Sequence, residues 1–177
     1  MSLSISLDIS SSAEKFYNQW RTQAHLLPGI SGSIHSVEVH EGDWDSDGAV
    51  KLWTYTLEGK SRTAKDKVSF DDEDKSVTMD IIEGDVLKEF KSFKIVMKAS
   101  AKADGKSRVI WSYDFEKISE SVALPVSYLI IYEKLTREWN LTMELNELQT
   151  KRMTGQVTYL WECNSEALFH SSEIIKK

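Results

Sequence analysis

Cysteine is almost missing from this chain: Cys163 stands alone in 177 residues. One thiol excludes an internal disulfide and any multi-cysteine metal site within a single copy. Proline occurs only at Pro28 and Pro125, and both fall where a helix starts or stops. Positive charge is in short supply as well, with 22 Lys and Arg against 28 Asp and Glu, a net charge of −6. Binding along a phosphate backbone needs clustered basic side chains, so nucleic acid is excluded as a partner. The most lysine-rich stretch, KSFKIVMK, interleaves its lysines with apolar residues, as a strand does. No apolar run is long enough to span a bilayer, which excludes stable membrane insertion. The opening MSLSISLDIS has neither the basic start nor the apolar core of a signal peptide. Together these point to a reducing, cytoplasmic location. Asn140-Leu141-Thr142 matches a glycosylation sequon without a secretion signal that would use it.

What is present is ordinary for a globular protein, 41% apolar and 28% charged residues, in a chain long enough to bury a sizeable core. The most informative stretch is SESVALPVSYLIIYEKLTREWN. Pro125 sits where a helix can begin without losing a hydrogen bond. Tyr128, Tyr132, Leu135, Trp139 and Met143 then recur at helical spacing, while Glu133, Lys134, Arg137 and Glu138 fall largely on the other side. A long amphipathic helix to about Met153 follows, ended by Thr154-Gly155.

Before it the chain reads mainly as strands. Leu3 to Ile9 alternates with period 2. Ser10-Ser11-Ser12 then caps a helical segment, AEKFYNQWRTQAHLL, interrupted around Thr22 and ended by Pro28-Gly29. Six further strands follow: one at Ile34 to Glu41, then VKLWTYTLEG, TAKDKVSF, KSVTMDIIEG, FKSFKIVMKA and SRVIWSYDFEK. The turns between them are short, which predicts antiparallel hairpins. The expected fold class is α+β: seven antiparallel strands, a helix pair after the first and one long helix after the last. Residues 1–153 form the domain, and 154–177 an atypical tail in which Trp161, Leu168 and Phe169 need burial.

Period 2 splits each strand into faces. One face carries Trp53, Tyr55 and Leu57; Val77, Met79 and Ile81; Phe93, Ile95 and Met97; and Val109, Trp111, Tyr113 and Phe115. The other carries Lys94, Lys98, Ser112, Asp114 and Glu116. The inward set is rich in Trp and Tyr, whose polar tips want partners when buried. That composition suits either a filled core or a roomy, partly polar interior.

The segments SSAEKFYNQW, LLPGISGSIHSVEVHEGDWDSDGAVKLWTYTLEGK, AKDKVSFDDEDKSVTMDIIEGDVLKEFKSFK and VIWSYDFEKISESVALPVSYL, in that order, resemble the major latex protein-like family of plants. That family is a branch of the Bet v 1 and pathogenesis-related class-10 superfamily, and the resemblance covers Ile5 to Trp139. It implies a helix-grip, START-like fold, in which a curved sheet surrounds the long helix. It also implies an internal cavity for a hydrophobic small molecule: a sterol, fatty acid, hormone or secondary metabolite, bound in connection with defence or stress. By position, the cavity wall would include Trp53, Tyr55, Val77, Met79, Ile81, Phe93, Ile95, Trp111, Tyr113 and Phe115 from the sheet. Tyr128, Tyr132 and Leu135 would face it from the helix, and Leu26, Leu27 and Pro28 would sit at its mouth. No cofactor is implied, and the protein is expected to be a monomer or weak homodimer.

Some features of the sequence invite other chemistry. The loop Gly42-Asp43-Trp44-Asp45-Ser46-Asp47-Gly48 stands where the wider superfamily has a glycine-rich, phosphate-loop-like motif, but its three carboxylates would repel phosphate. His35 and His40 lie five apart on a strand and face opposite sides, so they cannot share a metal, and His25 and His170 lie in unrelated contexts. Asp71-Asp72-Glu73-Asp74 reads as a solvated hairpin turn, lacking the spacing of a calcium loop. Abscisic acid receptors share the implied fold, yet their gating loop bears a proline that Leu57 to Arg62 lacks. An enzyme similar to norcoclaurine synthase would need an inward lysine, for which Lys65 or Lys67 are the candidates; the alternative has both at the rim, paired with acids. A third reading is an interaction protein that uses its tail. Non-catalytic binding of a hydrophobic small molecule is the leading expectation.

Overall fold

The structure, a computed structural model, describes residues 1–154. The expectations for Trp161, Cys163, Leu168, Phe169 and His170 concern residues outside the described ones. The chain divides into two compact units, Met1–Thr142 and Met143–Lys177. The first holds every strand and the first part of the long helix; the described part of the second is the end of that helix.

Strand β1 spans Ser2–Ile9 and is followed by α1 (Ala13–Gln23), a 3-10 turn (Ala24–Leu26) and the single helical turn α2 (Leu27–Ile30). Ser12 caps α1 by accepting from the Lys15 N–H. The helix buries Ala13, Phe16, Tyr17 and Trp20, a spacing of three and four residues that makes one face. Pro28 does not end a helix as its sequence position suggests; it occupies the first turn of α2, where no N–H is needed. Strands β2 (Ile34–Glu41), β3 (Val50–Leu57), β4 (Lys60–Asp71), β5 (Ser76–Gly84), β6 (Phe90–Ala101) and β7 (Ser107–Lys117) complete one sheet. Its order is β1-β7-β6-β5-β4-β3-β2, with every neighbouring pair antiparallel. Helix α3 runs Val126–Met153.

Two irregularities shape the middle of the sheet. Between β4 and β5 the register shifts: Lys65 pairs with Glu83 but Asp66 pairs with Ile81, leaving Ile82 as an extra residue. Such a bulge bends the strand and re-aims its side chains. Next to it, Gly84 takes φ +129°, and a Cβ there would lie 2.4 Å from the Thr63 carbonyl oxygen and 2.7 Å from the Ala64 Cα. These are backbone atoms, which cannot swing aside. Gly84→Ala is therefore expected to lower stability by about 2–3 kcal/mol, read as a lower urea midpoint with an unchanged slope. A midpoint equal to that of the wild type would show that β4 and β5 do not approach this closely.

Within the first unit, α3 lies against the sheet through aromatic contacts. The Tyr132 ring centroid is 4.2 Å from that of Trp111, and the Tyr113 hydroxyl donates to the Tyr128 carbonyl at 3.0 Å. Trp20 of α1 joins the same cluster, 5.0 Å from Trp111 and 5.2 Å from Trp139. The outward face of the sheet carries Lys–acid pairs such as Lys94 with Asp80 and Lys98 with Asp74. At such exposure each contributes little.

Candidate functional site

Between the sheet and the first part of α3 lies a partly open cavity. From the sheet it is lined by Ile34 of β2, Trp53 and Tyr55 of β3, Ala64 and Asp66 of β4, Ile81 of β5, and Phe93 and Ile95 of β6. Val86 closes one side from the turn after β5, and Tyr128, Ile131 and Tyr132 project from α3. The cavity volume is about 40 Å³. That is room for two or three waters, far below the roughly 300–1,000 Å³ of a pocket that encloses a drug-sized ligand. The interior is thus partly polar but narrow, because Trp20, Trp53, Trp111 and Tyr132 fill it against one another.

Seven of the positions expected at the cavity line it: Trp53, Tyr55, Ile81, Phe93, Ile95, Tyr128 and Tyr132. Val77, Met79, Trp111, Tyr113, Phe115 and Leu135 are buried but stand off the cavity, packed in the core around it. Leu27 is fully buried and also off the cavity. Leu26, placed at the mouth on sequence grounds, lies in the 3-10 turn with its side chain exposed and is not part of the lining. The lining also includes Ile34, Ala64, Asp66, Val86 and Ile131, none of them among the expected residues.

The tyrosine hydroxyls at the cavity are kept neutral. The Tyr55 and Tyr128 hydroxyls lie 3.4 Å apart, and burial pushes both of their pKa values up. Burial does the same to Tyr132, with Asp66 nearby adding to the effect.

Asp66 is the outlying member of the lining. It is 1% exposed, and its Oδ2 accepts the Trp53 Nε1–H at 3.1 Å. Burial pushes its carboxyl up to about 7, against the pull of Lys51 and the Trp53 N–H. Lys51 is buried too, in register with Asp66 on β3, and desolvation lowers its pKa. The lysines considered for catalysis are elsewhere. Lys65 points outward and pairs with Glu83 at 2.8 Å, and Lys67 is exposed. The reason is parity: Ala64, Asp66 and Val68 are the buried positions of β4, so its odd-numbered residues face away. A signal for this is present in the sequence. Asp66 lies two residues from Ala64 and Val68, and Lys51 two from Trp53, so each charge shares an apolar face.

The histidines stand apart. His35 Nε2 is 2.6 Å from the Thr56 hydroxyl, and His25 packs on Trp44. Among the described residues no group of three or more His, Cys, Asp or Glu is placed to hold a metal, and no helix is long and apolar enough to cross a membrane.

Comparison with known proteins places this architecture. The model of the pathogenesis-related protein Bet v 1 family matches residues 1–144. The chain belongs to that family. Among its relatives in this Bet v 1 group, MLP-like protein 31 of Arabidopsis thaliana is 33% identical over 139 residues, 77% of this chain and 81% of that protein. MLP-like protein 34 of Arabidopsis thaliana is 34% identical over 139 residues, again 77% of this chain but 44% of the relative, so the chain spans under half the length of that protein. The crystal structure of ginseng major latex-like protein 151 from Panax ginseng superposes with a TM-score of 0.77 at 33% identity, covering 80% of this chain and 96% of that one. The Bet v 1 fold and the major latex protein-like branch expected from the sequence are both established.

Proposed function

We propose that this chain binds and carries a hydrophobic small molecule between the sheet and α3, in a cytoplasmic role connected with plant defence or stress. The ligand classes in view are sterols, fatty acids, hormones and secondary metabolites, taken up without catalysis by a monomer or weak homodimer. The observation that carries the reading is an interior cavity in a Bet v 1-family chain, lined almost wholly by aromatic and aliphatic side chains. Burying about 200 Å² of apolar ligand surface there contributes on the order of 5 kcal/mol before the costs of association. At about 40 Å³ the resting cavity must widen to admit such a molecule. Four of its walls, Trp53, Ile81, Ile131 and Tyr132, are half-buried, and widening would begin with them.

Titration with the hydrophobic probe ANS tests the reading. The wild type is expected to enhance ANS fluorescence, and Ile131→Trp, which fills the cavity from α3, is expected to weaken binding about tenfold or more. Lys94→Ala, on the outward face, is expected to leave the affinity within about twofold. Equal affinities in all three proteins would place the probe outside the cavity and count against the proposal.

A further inference from the structure

We propose that the cavity contains a polar subsite, built on the unpartnered Oδ1 of Asp66, that receives the hydroxyl group of a neutral alcohol or phenol. The inference rests on the ligand-binding reading above and narrows its ligand class. Asp66 turns one oxygen to Trp53, whose Nε1–H fixes the plane of the carboxyl. The other oxygen, Oδ1, is buried and has no hydrogen-bond partner among the described residues. The residue lines a cavity whose remaining wall is apolar or aromatic. The Lys51 and Asp66 backbone N–H groups act on the carboxyl from nearby but leave Oδ1 without a bond; an acceptor so placed loses its hydration with little return, a cost removed when a donor arrives. A ligand with a hydroxyl at this point recovers that loss, whereas a ligand of the same shape without a donor does not.

The groups around Asp66 decide which donor fits. Lys51 stands opposite on β3 and interacts electrostatically with the carboxylate. Its Nζ lies 5.6 Å from the centroids of the Trp44 and Phe70 rings. A positive charge is thus already supplied, and a ligand ammonium would meet repulsion from Lys51. A ligand carboxylate would meet repulsion from Asp66 itself. Tyr132, from α3, is a further titratable neighbour and is held neutral by burial. From β5 the residue in register is Ile81, which is uncharged. With its carboxyl raised to about 7, Asp66 is largely ionised at mildly alkaline pH and offers acceptor lone pairs on both oxygens. A neutral hydroxyl is the donor that suits this arrangement, so alcohols and phenols are favoured over fatty acids and amines.

Four probes on one ring system separate these possibilities by calorimetric titration of the full chain at about pH 8, where Asp66 is ionised. They are 2-naphthol, 2-methoxynaphthalene, 2-naphthoate and 2-naphthylmethylammonium. In the wild type 2-naphthol is expected to bind about tenfold tighter than its methyl ether, with the anion and the cation weaker than the naphthol. In Asp66→Asn the Trp53 N–H holds the amide oxygen, so the amide NH₂ faces the cavity and the preference for the hydroxyl over the ether disappears. Asp66→Leu, which removes every polar atom, is expected to abolish it too. A preference that survives in both variants overturns the subsite, as does tighter binding of the cation or the anion than of the naphthol. If the wild type binds naphthol and ether equally, the subsite falls while the cavity reading stands. If no probe binds, the cavity reading falls with it.

Discussion

Trp111→Ala is expected to destabilise the fold by about 3–5 kcal/mol, the range for removing a fully buried large aromatic side chain. Trp111 is 0% exposed and sits mid-strand on β7, in register with Ile5 of β1 and Met97 of β6. Its ring meets Tyr132 of α3 and the edge of Trp20 of α1, so one side chain joins the sheet to both helices. Its Nε1–H donates to the buried Thr136 hydroxyl at 2.8 Å, and that hydroxyl donates onward to the Tyr132 carbonyl at 2.7 Å. Truncation removes the packing and the donor together. Trp111→Phe keeps most of the packing and is expected to cost about 1–2 kcal/mol, mainly the lost hydrogen bond. Urea unfolding of the two variants checks this, and a loss below about 1 kcal/mol for alanine would mean that the cluster does not hold α3 to the sheet. There is a functional consequence as well. Tyr132 rests on Trp111 and forms a wall of the cavity, so the alanine variant, examined well below its unfolding transition, is expected to take up more ANS than the wild type.

Between about pH 4 and pH 8 the protein is expected to lose on the order of 3–4 kcal/mol of stability through Asp66 alone. Burial raises its folded-state pKa from 3.8 to about 7. Over that interval the folded protein holds a proton that the unfolded chain has released, so stability falls as pH rises and levels off above the folded value. Lys51 acts with the opposite sign: its lowered pKa makes stability rise toward the alkaline side, so the comparison belongs at pH 8 and below. The carboxyls of Asp8, Glu83, Asp85 and Glu116 are held below their ordinary values, chiefly by hydrogen bonds from lysine side chains. Their contribution is lost on acidification, from about the ordinary carboxylate range downward, and overlaps only the acid end of the window where Asp66 acts. Urea midpoints at a series of pH values check the prediction, with Asp66→Asn expected to flatten the slope to within about 1 kcal/mol. The same slope in both proteins would show that Asp66 is not the group responsible.

Much of this architecture is legible in the chain itself. Alternation in segments such as KSVTMDIIEG marks strands and their inward faces, because successive side chains on a strand must point to opposite sides. The turn pairs Glu58-Gly59 and Asp104-Gly105 place hairpins, since Gly59 and Gly105 adopt positive φ without a Cβ to obstruct them. The spacing from Tyr128 to Trp139 assigns the buried side of α3, and quoted segments such as HEGDW and IIEGD assign the family. These are local or periodic properties, readable without knowing what packs against what.

The size of the cavity and the charge inside it were decided by the tertiary structure. Composition shows that Trp20, Trp53, Trp111 and Tyr132 are available, but whether they enclose space or consume it depends on how closely α1, α3 and the sheet approach. Here the rings stand 4.2 to 6.5 Å apart and leave about 40 Å³. Alternation along TAKDKVSF puts Asp66 on the apolar side with Ala64 and Val68 and the lysines opposite; that this side lines a cavity depends on pairing with β3 and on the bulge at Ile82. Leu26 is apolar and next to a buried neighbour, yet the 3-10 turn sends it to solvent. Periodicity by itself determined which residues share a face. What those faces enclose depends on distances between elements far apart in the chain, and these arise only when helices and sheet are packed together.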